Sequence, residues 1–103
     1  MTSRIELFKQ MLANDPSNTA VMFGLAKELE KAGEDEELIE TLNSYLETAE
    51  DEGNAFGMLA SAYERLGQPE QAKEAYERGI ETALRHGHPG MAEEYRMSLS
   101  SKL

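Results

Sequence analysis

A chain of 103 residues holds one domain of ordinary size, and 40% hydrophobic with 29% charged residues is the composition of an ordered, globular chain. It contains no cysteine, which excludes disulfides, thiolate chemistry and cysteine-based zinc sites. Twenty acidic and ten basic side chains leave a net charge of −10, a field that repels phosphate backbones and anionic lipid heads, so neither nucleic acid nor a membrane is expected as a partner.

The first predicted helix covers residues 3 to 13, with Ser3 and Glu6 spaced as a capping box and Phe8 and Leu12 inward. Asp15-Pro16 breaks it. A second helix, 18 to 32, carries the stripe Met22, Leu25, Ala26 and Leu29, and Gly33 suits its C-terminal cap. A third, 35 to 49, turns Leu38, Ile39, Leu42, Tyr45 and Leu46 to one side. It lies within a stretch, 34 to 52, with nine carboxylates and no Lys or Arg. That stretch reads as a solvated face, or as a patch for a basic partner. The fourth helix, 53 to 66, presents Phe56, Leu59, Ala60 and Tyr63 and ends at Gly67. Pro69 suits the first position of the fifth, 69 to 86, whose inner stripe is Ala72, Ala75, Tyr76, Gly79, Ile80 and Ala83. Glu74 with Arg78 and Glu81 with Arg85 are i,i+4 pairs in the favourable order. A glycine inside a helix costs about 1 kcal/mol against alanine, so Gly79 predicts a close neighbour. Pro89 opens a sixth helix, 89 to 101, with Met91, Ala92, Tyr95 and Leu99 on one side. No segment reads as a strand, so the fold class is all-α.

A shift of 34 residues superposes the second and third helices on the fourth and fifth. Leu25 falls on Leu59, Ala26 on Ala60, Leu29 on Tyr63, Gly33 on Gly67, Leu38 on Ala72, Leu42 on Tyr76 and Leu46 on Ile80. With Phe56, Leu59-Ala60, Tyr63, Ala72 and Tyr76 in motif positions, the chain resembles the tetratricopeptide repeat family. The resemblance implies an α-α superhelix of helix hairpins in a single domain, residues 1–103. Its parts are an N-terminal half repeat (3–14), repeat one (18–51), repeat two (52–86) and a capping helix (89–101). In the last helix a strict step puts Glu93-Glu94 on the Leu-Gly of the motif, whereas a register two residues shorter puts Met91-Ala92 and Tyr95 on Leu-Gly and Tyr. The register is open on sequence alone.

Candidates for chemistry are few. His86 and His88 stand two apart in a Gly/Pro turn, a spacing that matches no metal motif and reads as a solvent-exposed turn. No glycine-rich phosphate loop occurs, and carboxylate pairs read as solvated helix faces. The expectation is a non-enzyme with no cofactor and no metal. Of the six methionines, Met11 and Met22 read as core filling and Met58 as outward-looking.

The resemblance further implies a protein-interaction module, in which the first helix of each pair lines a concave groove for an extended peptide or a partner helix. The matching positions are Ala20, Phe23, Lys27 and Glu30 in repeat one, with Asn54, Gly57, Ser61 and Glu64 in repeat two. Phe23 lies off the apolar stripe of its helix; it is either an exposed anchor or packed under the N-terminal helix. The dicarboxylate clamp used by chaperone-tail receptors is not matched, since Phe23, Lys27, Met58, His88 and Ala92 differ in identity from its five residues. No chaperone-tail binding is expected. The alternative role is structural, a weak homodimer formed through an exposed repeat edge. No apolar run reaches the ~20 residues that span a bilayer, and Met1 to Asn14 lacks a signal-peptide core, so the chain reads as cytoplasmic. The C-terminal Ser101-Lys102-Leu103 has the form of a peroxisomal address, or stands there by chance.

Overall fold

The computed structural model describes residues 3–101. Six helices follow in order: α1 (Arg4–Asn14), α2 (Thr19–Ala32), α3 (Asp35–Thr48), α4 (Asn54–Arg65), α5 (Pro69–Arg85) and α6 (Pro89–Ser100). Among the described residues there is no strand. The chain divides into two compact units, Met1–Glu50 and Asp51–Leu103.

Local chemistry sets the helix ends. Ser3 Oγ accepts from the Glu6 N–H at 3.1 Å and Asn18 Oδ1 from the Val21 N–H at 3.1 Å, each side chain satisfying a donor that the first turn leaves without a partner. Pro69 and Pro89 stand at helix starts, where a missing N–H costs nothing. Three helices end on one pattern. The Gly33 N–H bonds to the Glu30 carbonyl while Glu34 bonds to Leu29; Gly67 bonds to Glu64 while Gln68 bonds to Tyr63; Gly87 bonds to Leu84 while His88 bonds to Ala83. This pairing of a short and a long backbone bond needs a left-handed residue at its centre, and φ is +73° at Gly33 and +71° at Gly67.

In the first unit α1 packs on α2 and α2 on α3. Its core is Val21, Met22, Leu25, Ala26 and Leu29 of α2 with Leu38 and Leu42 of α3. From α1, Phe8 crosses onto Gly24: a β-carbon there would lie 2.8 Å from the Phe8 ring, so the missing side chain makes room for the aromatic. Met11, expected in the core, is 42% exposed, because it lies on a face of α1 that no helix of the unit covers.

In the second unit α4 packs on α5 and α5 on α6. Phe56, Leu59, Ala60, Ala72, Ala75, Tyr76, Ala83 and Ala92 are buried. The close neighbour expected of Gly79 is there. A β-carbon at that position would stand 2.8 Å from Phe56 Cβ and 2.8 Å from a ring carbon of Tyr95. Arg78 reaches back over the Phe56 ring, 5.0 Å from its centroid. Burial of Ala92 on α6 selects the shorter register, because Ala26, Ala60 and Ala92 are then equivalent and all three are fully buried.

Candidate partner-binding surface

On α2, Phe23, Lys27 and Glu30 follow at i, i+4 and i+7 and share one face. Phe23 is half-buried. Its ring meets that of Tyr45 on α3, centroids 5.2 Å apart at 42°, a tilted geometry that suits the ring quadrupoles. Lys27 is exposed and holds its Nζ 5.5 Å from the centroid of the Phe23 ring. The result is a two-ring platform with a cation above it, and Glu30 half-exposed one turn further along. Ala20, at the start of the same helix, is exposed.

Behind this face, Glu28 is a buried carboxylate, held by the Arg4 guanidinium of α1 and by Lys31 Nζ at 3.6 Å. The hydrogen bond from Arg4 holds the Glu28 carboxyl below the usual carboxylate range, with Lys31 adding to the effect. A second tie, Lys9 Nζ to Glu37 at 2.6 Å, links α1 to α3.

In the second unit Asn54 is exposed at the first position of α4, and Ser61 and Glu64 are half-exposed further along the helix. Glu64 is already engaged, since its carboxylate accepts from the Tyr76 hydroxyl at 3.1 Å. Gly57 is covered: a β-carbon on it would lie 2.7 Å from the Tyr95 hydroxyl and 2.9 Å from the ring. That hydroxyl donates to the Gly53 carbonyl at 2.8 Å, the ring stands 5.8 Å from that of Tyr76, and burial pushes the phenol up. Tyr95 thus fits into a cleft formed by two helical glycines, Gly57 and Gly79. Sequence reading placed Tyr95 on the inner side of its helix but did not connect it to these glycines, although two glycines inside helices are a signal for a large ring nearby.

His88, considered above for metal binding, pairs with a carboxylate: its Nε2 lies 2.5 Å from Glu52 Oε1. The contact lowers the Glu52 carboxyl from its usual range. Among the described residues no group of three His, Cys, Asp or Glu side chains is arranged to hold a metal, and no helix is long and apolar enough to cross a membrane. Lys102 and Leu103 of the C-terminal tripeptide lie outside the described residues.

The tetratricopeptide repeat pattern matches residues 53–86, the α4–α5 hairpin. Over 83 residues the chain is 32% identical to the TPR repeat-containing protein PA0015 of Pseudomonas aeruginosa, an alignment that spans 81% of this chain and 79% of that protein. The chain belongs to the tetratricopeptide repeat family. The fold agrees: the solution structure of protein BPP2914 from Bordetella parapertussis superposes with a TM-score of 0.82 at 22% identity, covering 98% of this repeat protein and 88% of the other chain. Tetratricopeptide repeats are generally protein-interaction modules, and their fold generally serves as a scaffold without catalysis.

Proposed function

We infer that the protein is a peptide- or helix-binding module whose principal contact is the α2 face made by Phe23, Lys27 and Glu30, with Asn54, Ser61 and Glu64 of α4 as a second set of contacts. The observation that supports this most is the Phe23–Tyr45 pair under Lys27. Two partly exposed rings that brace each other lose little side-chain entropy on binding, which is the property of an interface anchor. The platform accepts an apolar side chain, and Lys27 beside it pairs with a carboxylate of the partner.

The test is affinity capture from the source organism with the wild-type chain beside a Phe23→Ala, Lys27→Glu double variant, followed by titration of any recovered partner in purified form. A partner bound by the wild type and at least ten-fold more weakly by the variant, at unchanged helical content, supports the reading. Equal binding by the two proteins removes it.

A further inference from the structure

Under the 34-residue step three apolar places of α3 change character on α5: Leu38 gives way to Ala72, Ile39 to Lys73 and Leu42 to Tyr76, while Glu30 and Glu36 recur as acids at Glu64 and Glu70. Leucine to alanine removes bulk, and leucine to tyrosine brings a hydroxyl. In the second unit these residues line an open pocket of about 550 Å³, within the ~300 to 1,000 Å³ of sites that hold small ligands. Its apolar walls are Pro69 and Ala72 of α5 and Leu99 of α6. Gly67, which closes α4, adds no side chain to narrow it.

The polar groups of the pocket are mostly acceptors. Tyr76 is 6% exposed, and its hydroxyl donates to a Glu64 carboxylate oxygen at 3.1 Å. A phenol that has given its proton to a carboxylate keeps its own lone pairs, and an ionised carboxylate accepts only. Glu70, exposed in the first turn of α5, brings a second carboxylate, and Lys73 is the cation beside them. The rim therefore has two negative charges against one positive, set over an apolar body. The complementary group has an apolar stem and a cationic head. Arginine and lysine both have the stem, but the planar guanidinium offers five donors in a fork and is more weakly hydrated than an ammonium, which suits a site with several acceptors.

We propose that this pocket takes an arginine side chain of a partner protein. The stem lies along Leu99, Pro69 and Ala72, and the guanidinium meets the carboxylates of Glu64 and Glu70, with the Tyr76 oxygen as a further acceptor. The pocket is built mainly on α5, the second helix of its pair, whereas the groove implied by the resemblance is lined by first helices; Glu64 belongs to both. The inference thus deepens the partner-binding reading for the second unit, and rests on it, by naming one side chain of the partner. Because the rim is open to water, each ion pair contributes little and is screened by salt. The site selects a basic segment more than it tightens the complex.

The experiment is an NMR titration of the isotope-labelled 103-residue chain with N-acetyl-arginine amide, beside N-acetyl-citrulline amide, which has nearly the same shape without the charge. A ligand of this size supports a Kd of about a millimolar, so both probes are taken to roughly 20 mM. The arginine probe is expected to give saturable amide shifts at Gly67, Lys73 and Leu99, and the citrulline probe to bind about five-fold more weakly or worse. Glu64→Gln and Glu70→Gln, each with unchanged helicity, are expected to weaken the arginine probe by about two- to five-fold, and Lys73→Gln to strengthen it by about two-fold. No saturation with the arginine probe overturns the proposal. So does equal binding of citrulline, which describes an apolar slot, and so do shifts centred away from the pocket or binding indifferent to both glutamate variants. The probe reports on this pocket alone, while the Phe23 platform is tested by partner capture with its own double variant, so either can fail with the other intact.

Discussion

Replacing a glycine with alanine at a solvent-facing helix position stabilises a chain by up to about 1 kcal/mol, because alanine gives up less backbone entropy, and Gly79→Ala tests how far packing reverses that gain. At this site the added carbon meets Phe56 Cβ at 2.8 Å and Tyr95 at 2.8 and 2.9 Å, where carbon atoms rest comfortably at about 3.5 to 4.0 Å. Neither neighbour yields easily. Phe56 Cβ is fixed to the α4 backbone, and the Tyr95 ring is tied through its hydroxyl to the Gly53 carbonyl. Overpacking of this kind costs about 1 to 3 kcal/mol, so the net effect is a loss of about 0 to 2 kcal/mol. The matched control is Gly90→Ala near the start of α6, where an added carbon meets nothing within 4 Å. The difference between the two variants isolates the steric cost. At about 4 to 8 °C per kcal/mol for a domain of this size, thermal unfolding followed by circular dichroism should place Gly79→Ala below Gly90→Ala by at least about 4 °C. If Gly79→Ala melts at or above Gly90→Ala, the α4–α5–α6 contact is looser than described and the packing argument for this unit fails.

Tyr95→Phe keeps the ring in its cleft and removes only the hydrogen bond to Gly53, so urea unfolding should show a loss of about 0.5 to 1.5 kcal/mol with no change in the slope of the transition. For Glu28, the folded carboxyl lies below its usual value while the unfolded one does not, so between the two the unfolded chain binds the extra proton. The stabilisation is therefore complete above the usual carboxylate range and is lost as pH falls through the folded value. Urea midpoints measured downward from pH 7 should drop for the wild type across that acid window and drop less for Glu28→Gln; parallel curves would show that the Arg4 contact is not coupled to folding.

Helix positions were legible because their signals are local. The apolar stripes, the prolines that begin α5 and α6 and the glycines that end α2 and α4 act within one turn of themselves, and the observed ends differ from the expected ones by about a residue. What the sequence did not show depended on contacts distant in the chain. Glu28 reads as a surface acid until Arg4, 24 residues away, closes on it, and Tyr95 bonds to a carbonyl 42 residues away. Phe23 shows the same limit. The sequence placed it off the apolar stripe of α2 but did not show that its ring meets Tyr45, a residue assigned only to the inner stripe of α3. Met11 was misplaced because periodicity assigns a side of a helix without showing whether another element covers that side.

The glycines that close α2 and α4 have a stereochemical consequence. Gly33 and Gly67 have nothing within 4 Å of where a side chain would begin, so space is not what reserves these positions for glycine. Handedness is: at φ of +73° and +71° an L residue crowds its own carbonyl, whereas a residue of opposite chirality is at rest. Each of these two reversals is thus a single mirror-image step between right-handed helices. D-alanine would fit there better than any genetically encoded side chain, fixing the turn in advance and leaving the sequence around it untouched.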